Sequence, residues 1–581
     1  MNVNRIITRI GLSLSALALA GSLAACSFSG TVAAAQSVVT GNASSSVASA
    51  SASSTTSTTT AAAGSTGAGG AAVLAQNTAV TTISTSYDAA SAVTVTMSGS
   101  SATSSGDGVS VANGTVTISK AGVYRLTGSL TGQVVVNVAD KGTVTIVLDN
   151  ASITSSTGSA LAVTDADTVA IILADGSANQ LTDAASYADT TSENAPNAAL
   201  FSSADTVIAG NGSLTVTGKA NDAIGVKDGL QILSGTITVT AKDDGIRGKD
   251  YLVIAGGTIK VTAQGDGLTA DNETDAKLGY VAISGGSLDI TATGDGVSAF
   301  TDAVVTGGTV TVKAGGGSAT KPSDATSTKG IKAGSNLAIS AGTVTVDSSD
   351  DALHSNSMLT VDGGKVTAAS GDDGIKAETD VTLAGGEVTV TKSYEGVEAL
   401  AIKVTGGTHS ITASDDGING SAGANSRTAA SFAMSNGSLT VNAQGDALDV
   451  NSGTATLSGG TLVLYGPTGS GNGALDVDNG FTVTGGTVIA VGSAGMAGTP
   501  TAASAQKWVA ATAAGKAGST VSIVKDGKTL ATYTSPKAFA TVVFSSPDVT
   551  AGSYDIVVDG AKVATATNNV ALAGGMGGGR R

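Results

Sequence analysis

From roughly residue 197 to 490 the chain repeats short runs in which every second residue is aliphatic and those between are Thr, Ser or charged. Thr236-Ile-Thr-Val-Thr240, Thr309-Val-Thr-Val312 and Val388-Thr-Val-Thr391 are examples. A period of two predicts strands with one buried and one solvated side. The runs return about every 22 residues behind a glycine marker at Gly257, Gly286, Gly308, Gly364, Gly386, Gly407, Gly460 and Gly486. A second marker keeps step with the first: an acid, a small residue and an aliphatic one, as in Asp222-Ala-Ile, Asp244-Gly-Ile, Asp266-Gly-Leu, Asp295-Gly-Val, Asp351-Ala-Leu, Asp373-Gly-Ile, Glu395-Gly-Val, Asp416-Gly-Ile and Asp446-Ala-Leu. Lys329-Gly-Ile is the one basic member. No stretch here carries a helical period, which excludes helical and leucine-rich repeats. The pattern predicts an all-β parallel β-helix, a solenoid of about 22 residues per coil, with aliphatic residues stacked inside and Gly, Asn and Asp at the corners.

Six segments follow. Residues 1–25 read as a lipoprotein signal peptide, because Arg5 and Arg9 precede an apolar run and Leu23-Ala-Ala-Cys26 closes it. The pattern resembles a bacterial lipobox, which implies lipidation at Cys26, export and attachment to a membrane at the cell surface through that anchor only. Residues 26–75 are a Ser/Thr/Ala/Gly tether too poor in large side chains to fold. Residues 76–196 are the irregular β cap of the solenoid, 197–504 its regular part, 505–570 a small antiparallel β module, and 571–581 a disordered tail. In the module, Lys525-Asp-Gly-Lys528 reads as a hairpin turn.

Of the 581 residues, 3% are aromatic and 41% hydrophobic, so the core must be built from stacked aliphatics. A single Cys excludes an intrachain disulfide. The net charge of -16 excludes nucleic acid as a partner and favours cations, or polymers bridged by cations. Only His354 and His409 are available for histidine chemistry, and His409 is expected on the solvated outer side of its strand.

Lys120-Ala-Gly-Val-Tyr-Arg-Leu-Thr-Gly128, Glu193-Asn-Ala-Pro-Asn-Ala-Ala-Leu-Phe201, Asp243-Asp-Gly-Ile-Arg-Gly-Lys-Asp250 and Ser393-Tyr-Glu-Gly-Val-Glu398 together resemble the bacterial carbohydrate-binding β-helix lipoproteins. The resemblance implies a right-handed, pectate-lyase-like parallel β-helix, bound calcium, and binding of cellulose-like and acidic polysaccharides without established catalysis. It assigns no sugar-contacting residues.

In a stack of coils, acids one period apart lie above one another. Two carboxylates about 4.8 Å apart repel by roughly 3.5 kcal/mol at an effective dielectric of 20, so cations or basic side chains must intervene. Around Asp372, Asp373, Glu395, Glu398, Asp415 and Asp416 the basic candidates run out, and the oxygen-rich corner suits Ca2+. Asp266 and Asp271, with Glu273, are a second candidate set, and Tyr280 beside them is read as packing. The glycines after Asp373 and Glu395 are expected to let a ligand approach the backbone. Arg247, Lys332 and Lys376 are candidates for carbohydrate contact, or for the base of a uronate lyase. The favoured reading is a monomeric, surface-anchored protein that binds acidic polysaccharide (polygalacturonate-like, and cellulose by resemblance) through calcium. A polysaccharide lyase and a non-catalytic adhesin rod are the alternatives.

Overall fold

A computed structural model of the protein describes residues 69–139, 142–187, 195–323, 325–422 and 428–572. The segment expected to be a signal peptide, Cys26, most of the expected tether and the residues beyond 572 lie outside the described residues.

Each regular repeat folds into three short strands, for example Ile246–Gly248, Tyr251–Ile254 and Thr258–Ala263, followed by Leu268–Ala270, Tyr280–Ile283 and Ser287–Ala292. Each strand pairs in parallel with its counterpart one repeat on. Thr258 meets Ser287, Ile259 meets Leu288 and Val261 meets Ile290. The first strands of successive repeats form a 16-stranded sheet, and the other two series belong to a 30-stranded sheet. Inward residues of all three series, among them Ile237, Ile259, Leu288, Val310, Val344, Val366 and Val388, merge into one continuous aliphatic core.

The larger sheet corrects the expected open right-handed β-helix. Twelve of its strands close on one another, all in parallel. One arm runs from Thr143–Thr154 through Thr168–Leu173, Asp205–Gly210, Gly229–Ile232, Tyr251–Ile254 and Tyr280–Ile283 to Ala303–Ala314. The other returns through Ser287–Ala292, Thr258–Ala263, Thr236–Ala241, Ser213–Gly218 and Ala178–Thr182 to Thr143–Thr154. The result is a closed, barrel-like circuit in place of an open solenoid. Its cause is local: Thr143–Thr154 and Ala303–Ala314 are each 12 residues long and turn a corner without breaking. Asn150, at φ 54°, and Gly308, at φ 80°, supply the bends, and each long strand then pairs with both arms.

The marker glycines have a steric reason. Gly386 sits at φ 68°, and a Cβ there would lie 2.5 Å from the carbonyl oxygen of Gly364 in the preceding repeat. His409, expected outside, faces inward at 1% exposure. It takes the place of an aliphatic between Val388 and Leu439, with Nε2 2.7 Å from the Gly406 carbonyl oxygen. Alternation through Thr408, His409, Ser410 and Ile411 puts it there, and burial lowers its pKa, which favours the neutral ring.

The chain ahead of the first strand lies against the outside of the large sheet. Residues 69–75, expected in the tether, include a short helix, Gly70–Leu74, whose Val73 packs on Val304 and Ala338. The chain continues past Tyr280, whose hydroxyl donates to the Thr78 carbonyl at 2.8 Å, and past Tyr251, whose hydroxyl accepts from the Thr81 amide at 3.0 Å. It reaches Ile83, set against Val147, Ile172 and Val207. These outward positions are apolar because this strap covers them. Tyr251 and Tyr280 stack at 5.6 Å, so Tyr280 does pack.

At the far end, Trp508–Gly515 and Phe539–Ser545 extend the large sheet in antiparallel fashion. Beyond them, Thr520–Lys525, Lys528–Thr534, Ser553–Val558 and Ala561–Thr567 form a four-stranded antiparallel sheet. Asp526 and Gly527 make its first hairpin turn with φ of 50° and 78°, the left-handed pair that a two-residue hairpin requires.

Val344→Asp should destabilise the protein by several kcal/mol, since Val344 is fully buried between Val310 and Val366. Thr345→Asp, one residue on and exposed, should cost less than about 1 kcal/mol. Urea unfolding midpoints check the pair, and equal losses would overturn the assignment of inner and outer sides. Gly386→Ala should lower the midpoint clearly, whereas Gly469→Ala, where a Cβ meets nothing within 4 Å, should leave it unchanged or slightly raised.

Candidate functional site

From Ile246–Gly248 onward the strands of the 16-stranded sheet are only two or three residues long, and each contributes one position to a row along its outer face. Parallel pairing lines these up in the order Arg247, Thr269, Ser298, Lys332, His354, Lys376, Glu398, Asn419, Asp449 and Asp476. The stripe therefore runs from cationic to anionic. Immediately before most of these strands stands an acidic corner, with Lys329 and Gly473 taking its place before Ile331–Ala333 and Asp476–Val477.

These corners do more than stack charge. The Oδ1 atom of Asp222 accepts the amide of Asp244 at 3.3 Å, Asp244 that of Asp266 at 2.8 Å, Asp266 that of Asp295 at 2.7 Å, and Asp295 that of Lys329 at 2.7 Å. Asp351 accepts from Asp373 at 3.1 Å, Asp416 from Asp446 at 2.6 Å, and Asp446 from Gly473 at 2.5 Å. Each carboxylate thus satisfies a backbone donor one repeat away. Sequence reasoning saw the repulsion and missed this use, although the near-exclusive choice of Asp over the longer Glu is its signature. The relay has two breaks. Lys329 has no carboxylate to offer, and between Asp373 and Asp416 the corner is Glu395, whose Oε2 accepts from Asn419 Nδ2 at 2.6 Å instead.

Burial without a full set of counter-charges favours protonation. It pushes the carboxyl of Asp222 up to about 8, Asp266 to about 7 and Asp449 to about 8, with neighbouring acids adding to the effect. Burial likewise raises Asp446 to about 7 and Glu395 to about 7, against the opposing bonds from Gly473 and Asn419. Asp351 is the exception. Despite its burial, bonds from His354 and Lys329 hold it below the usual carboxylate range.

Carboxylates converge at both breaks. Asp373, Glu395 and Glu398 bring one oxygen each to within 4.8 Å of one another, and so do Asp350, Asp351 and Asp372. The second trio is already served by cations: Lys329 Nζ lies 2.8 Å from both Asp350 and Asp351, and His354 Nδ1 is 2.7 Å from Asp351. The first trio has Lys376 alone, 2.8 Å from Asp373 and 2.5 Å from Glu398. Burial raises the pKa of Asp373, and the charge of Asp351 adds to it.

Of the expected metal ligands, the structure brings Asp373, Glu395 and Glu398 together and places Asp372 in the neighbouring trio. Asp415 and Asp416 stand apart from both. Asp416 belongs to the amide relay, and the carboxylate of Asp415 pushes the pKa of the neighbouring Tyr394 hydroxyl up to about 12. Asp266 is also in the relay, and Asp271 is bound by Arg247 at 2.9 and 2.6 Å. None of the three basic candidates is unpaired: Arg247 holds Asp271, Lys332 lies 3.2 Å from Asp295, and Lys376 bridges Asp373 and Glu398. The corner glycines have a packing role of their own. A Cβ on Gly374 would lie 2.7 Å from the Gly396 carbonyl oxygen, and one on Gly396 would lie 2.2 Å from that of Gly417.

Residues 112–374 match the family model described as carbohydrate-binding domain-containing protein. That span holds Arg247, Asp266, Asp271, Lys332, Asp372 and Asp373 and ends before Glu395. Over 137 residues, 23% of this chain, the sequence is 39% identical to a protein of Acetivibrio thermocellus with the same description, and covers 48% of it. The chain thus spans about half the length of that relative. A solved structure titled as the polysaccharide lyase-like protein from C. thermocellum, a gadolinium derivative, aligns at 33% identity with a TM-score of 0.39, over 42% of this chain and 96% of that one.

Proposed function

We propose that this protein binds polysaccharide and that acidic chains are held through calcium at Asp373, Glu395 and Glu398. The match of residues 112–374 to a carbohydrate-binding family supports the general reading. The observation that carries the specific one is the charge balance at the second break in the relay: three carboxylates against one ammonium leave two negative charges unmatched when all are ionised. Calcium takes six to eight oxygens, so three carboxylates leave positions open for a sugar carboxylate and water. A protein of net charge -16 needs such a bridge to hold a polyanion. Lys376 stands where the ion would sit and competes with it.

A lyase reading fares less well at these residues. Lys376 is raised above its ordinary value by Asp373 and Glu398 despite its burial, so it holds its proton where a base must release one. Export and attachment through Cys26 complete the proposal. Cys26→Ser should abolish membrane association after a carbonate wash, and retention of the variant in the membrane fraction would refute the anchor.

Glu395 must lose its proton to bind calcium. Burial places that loss near 7, so calcium affinity should climb as pH rises from 6 to 8. The same shift acts on folding without metal. The folded carboxyl holds its proton to about 7 and an unfolded Glu to about 4.3, so this group's contribution to stability is complete below about 4 and is lost as pH rises through 7. Calcium should therefore raise the melting temperature more at pH 8 than at pH 5. Asp373→Asn with Glu395→Gln should weaken both calcium and polygalacturonate binding at least tenfold by calorimetry, while Lys376→Met tightens calcium. Polymer binding that still requires calcium but ignores the double substitution would place the site elsewhere.

A further inference from the structure

Where the stacked repeats meet the C-terminal strands, a cleft of about 480 Å³ opens beside Asp476–Val477 and Phe481–Val483. Its volume lies in the range of about 300–1,000 Å³ usual for binding clefts. Leu475, Phe481 and Trp508, all buried, line it and belong to the continuous core, so here the core ends in a concave apolar surface. The surround is fixed. The Thr501 amide donates to the Phe481 carbonyl at 2.8 Å, and the Asn569 amide to the Trp508 carbonyl at 2.8 Å.

Asp476 and Asp478 also line the cleft, and among the described residues no Lys, Arg or His does. Burial raises the pKa of Asp476, and the charge of Asp478 adds to it. Asp478 takes one backbone donor, the Ser452 amide at 2.7 Å. The cleft therefore suits an occupant that is apolar in one part and cationic in another.

The chain itself brings one to the place. After Ala561–Thr567 it turns at Asn569, with φ 59°, and the Asn569 Oδ1 accepts the Trp508 amide at 3.1 Å, a second bond to that residue. Leu572, expected in a disordered tail, is thereby set against the core and lines the cleft. The sequence continues Ala573-Gly-Gly-Met-Gly-Gly-Gly-Arg-Arg581. Apart from Met576, Arg580 and Arg581 this segment is Gly and one Ala, so its large side chains are one apolar and two cationic, in a chain of net charge -16. A thioether adapts to irregular apolar space and favours aromatic neighbours, which Phe481 and Trp508 supply. Reach is ample: Met576 can extend to roughly 13 Å from Leu572, and Arg580 to roughly 27 Å. Held at Leu572, the segment meets the cleft at an effective concentration on the order of millimolar, so even a weak contact is populated.

We propose that residues 573–581 dock in this cleft of their own chain, with Met576 against Phe481 and Trp508 and with Arg580 and Arg581 on Asp476 and Asp478. The docked segment closes the open end of the core, where a stack of repeats needs a cap. The proposal stands whether or not calcium or polysaccharide binds elsewhere.

Trp508 is the only tryptophan, so the emission of the whole protein reads this cleft. Ending the chain at Leu572 should shift the emission to longer wavelength while far-ultraviolet circular dichroism stays unchanged. A peptide of the sequence 573–581 should reverse the shift, half-saturating at or below about 1 mM, and should leave the emission of the full chain as it was. In the full chain, Met576→Gln and, separately, Arg580→Glu with Arg581→Glu should each give part of the shift. Asp476→Asn with Asp478→Asn should weaken peptide binding to the shortened chain several-fold. Should the shortened chain fail to fold, the substitutions at 576, 580 and 581 in the full chain carry the test. Unchanged emission in these variants, or a peptide that acts on the full chain as it does on the shortened one, would overturn the proposal. So would an emission difference that grows with protein concentration alongside a dimer in sedimentation velocity, because the segment would then occupy a second copy.

Discussion

Parallel pairing at constant register sets each residue against its own counterpart in the next repeat, and almost everything in this molecule answers to that constraint. For Val, Ile and Leu it is favourable, since burying one such side chain is worth roughly 1.5–3 kcal/mol and an identical neighbour above and below leaves no void. For a carboxylate it is costly, by roughly 3.5 kcal/mol per neighbouring pair at an effective dielectric of 20. The corners resolve the cost in two ways. Where Asp follows Asp, each carboxylate turns to the next backbone amide, and several are pushed toward protonation. Where that relay is interrupted, an ammonium is inserted, Lys329 at one break and Lys376 at the other.

What could be read in the chain beforehand was whatever this register makes periodic. Thr236 to Thr240 announced a strand with two unlike sides, and the acid-Gly-aliphatic phrase announced stacked corners around Asp373 and Glu395. What could not be read depends on single, non-repeated events. Closure of the large sheet turns on two strands that bend without ending, at Asn150 and at Gly308, and nothing in a period of 22 distinguishes a bent strand from two separate ones. The strap from Gly69 to Ile83 was hidden because its partners, such as Val304 and Asp205, are more than a hundred residues away. His409 was within reach: applying the alternation strictly would have placed it inside.

The outward stripe separates two chemistries along one face. Its cationic members are consumed by acids of the same or neighbouring repeats, as Arg247 is by Asp271 and Lys332 by Asp295. Past Lys376 the row turns to Glu398, Asn419 and Asp449 and loses its counter-charges. An oxygen cluster stands where compensation ends.

The strap also decides how the molecule carries load. A pull delivered through the chain before Gly69 does not reach the end strands first. It arrives beside Val304, Ala338 and Ser340, in the middle of the sequence, and is met by the Gly70 amide bond to the Ser340 hydroxyl and by Val73 in its apolar seat. Next in line come Thr78 on Lys277, then Thr81, held by Tyr251, Asp205 and Gln231. Pulled away from the surface, these attachments open one after another, and the 15 residues from 69 to 83 pay out roughly 50 Å of chain before tension reaches the first strand. Under such a pull the strap's contacts would be loaded before those of the stacked repeats.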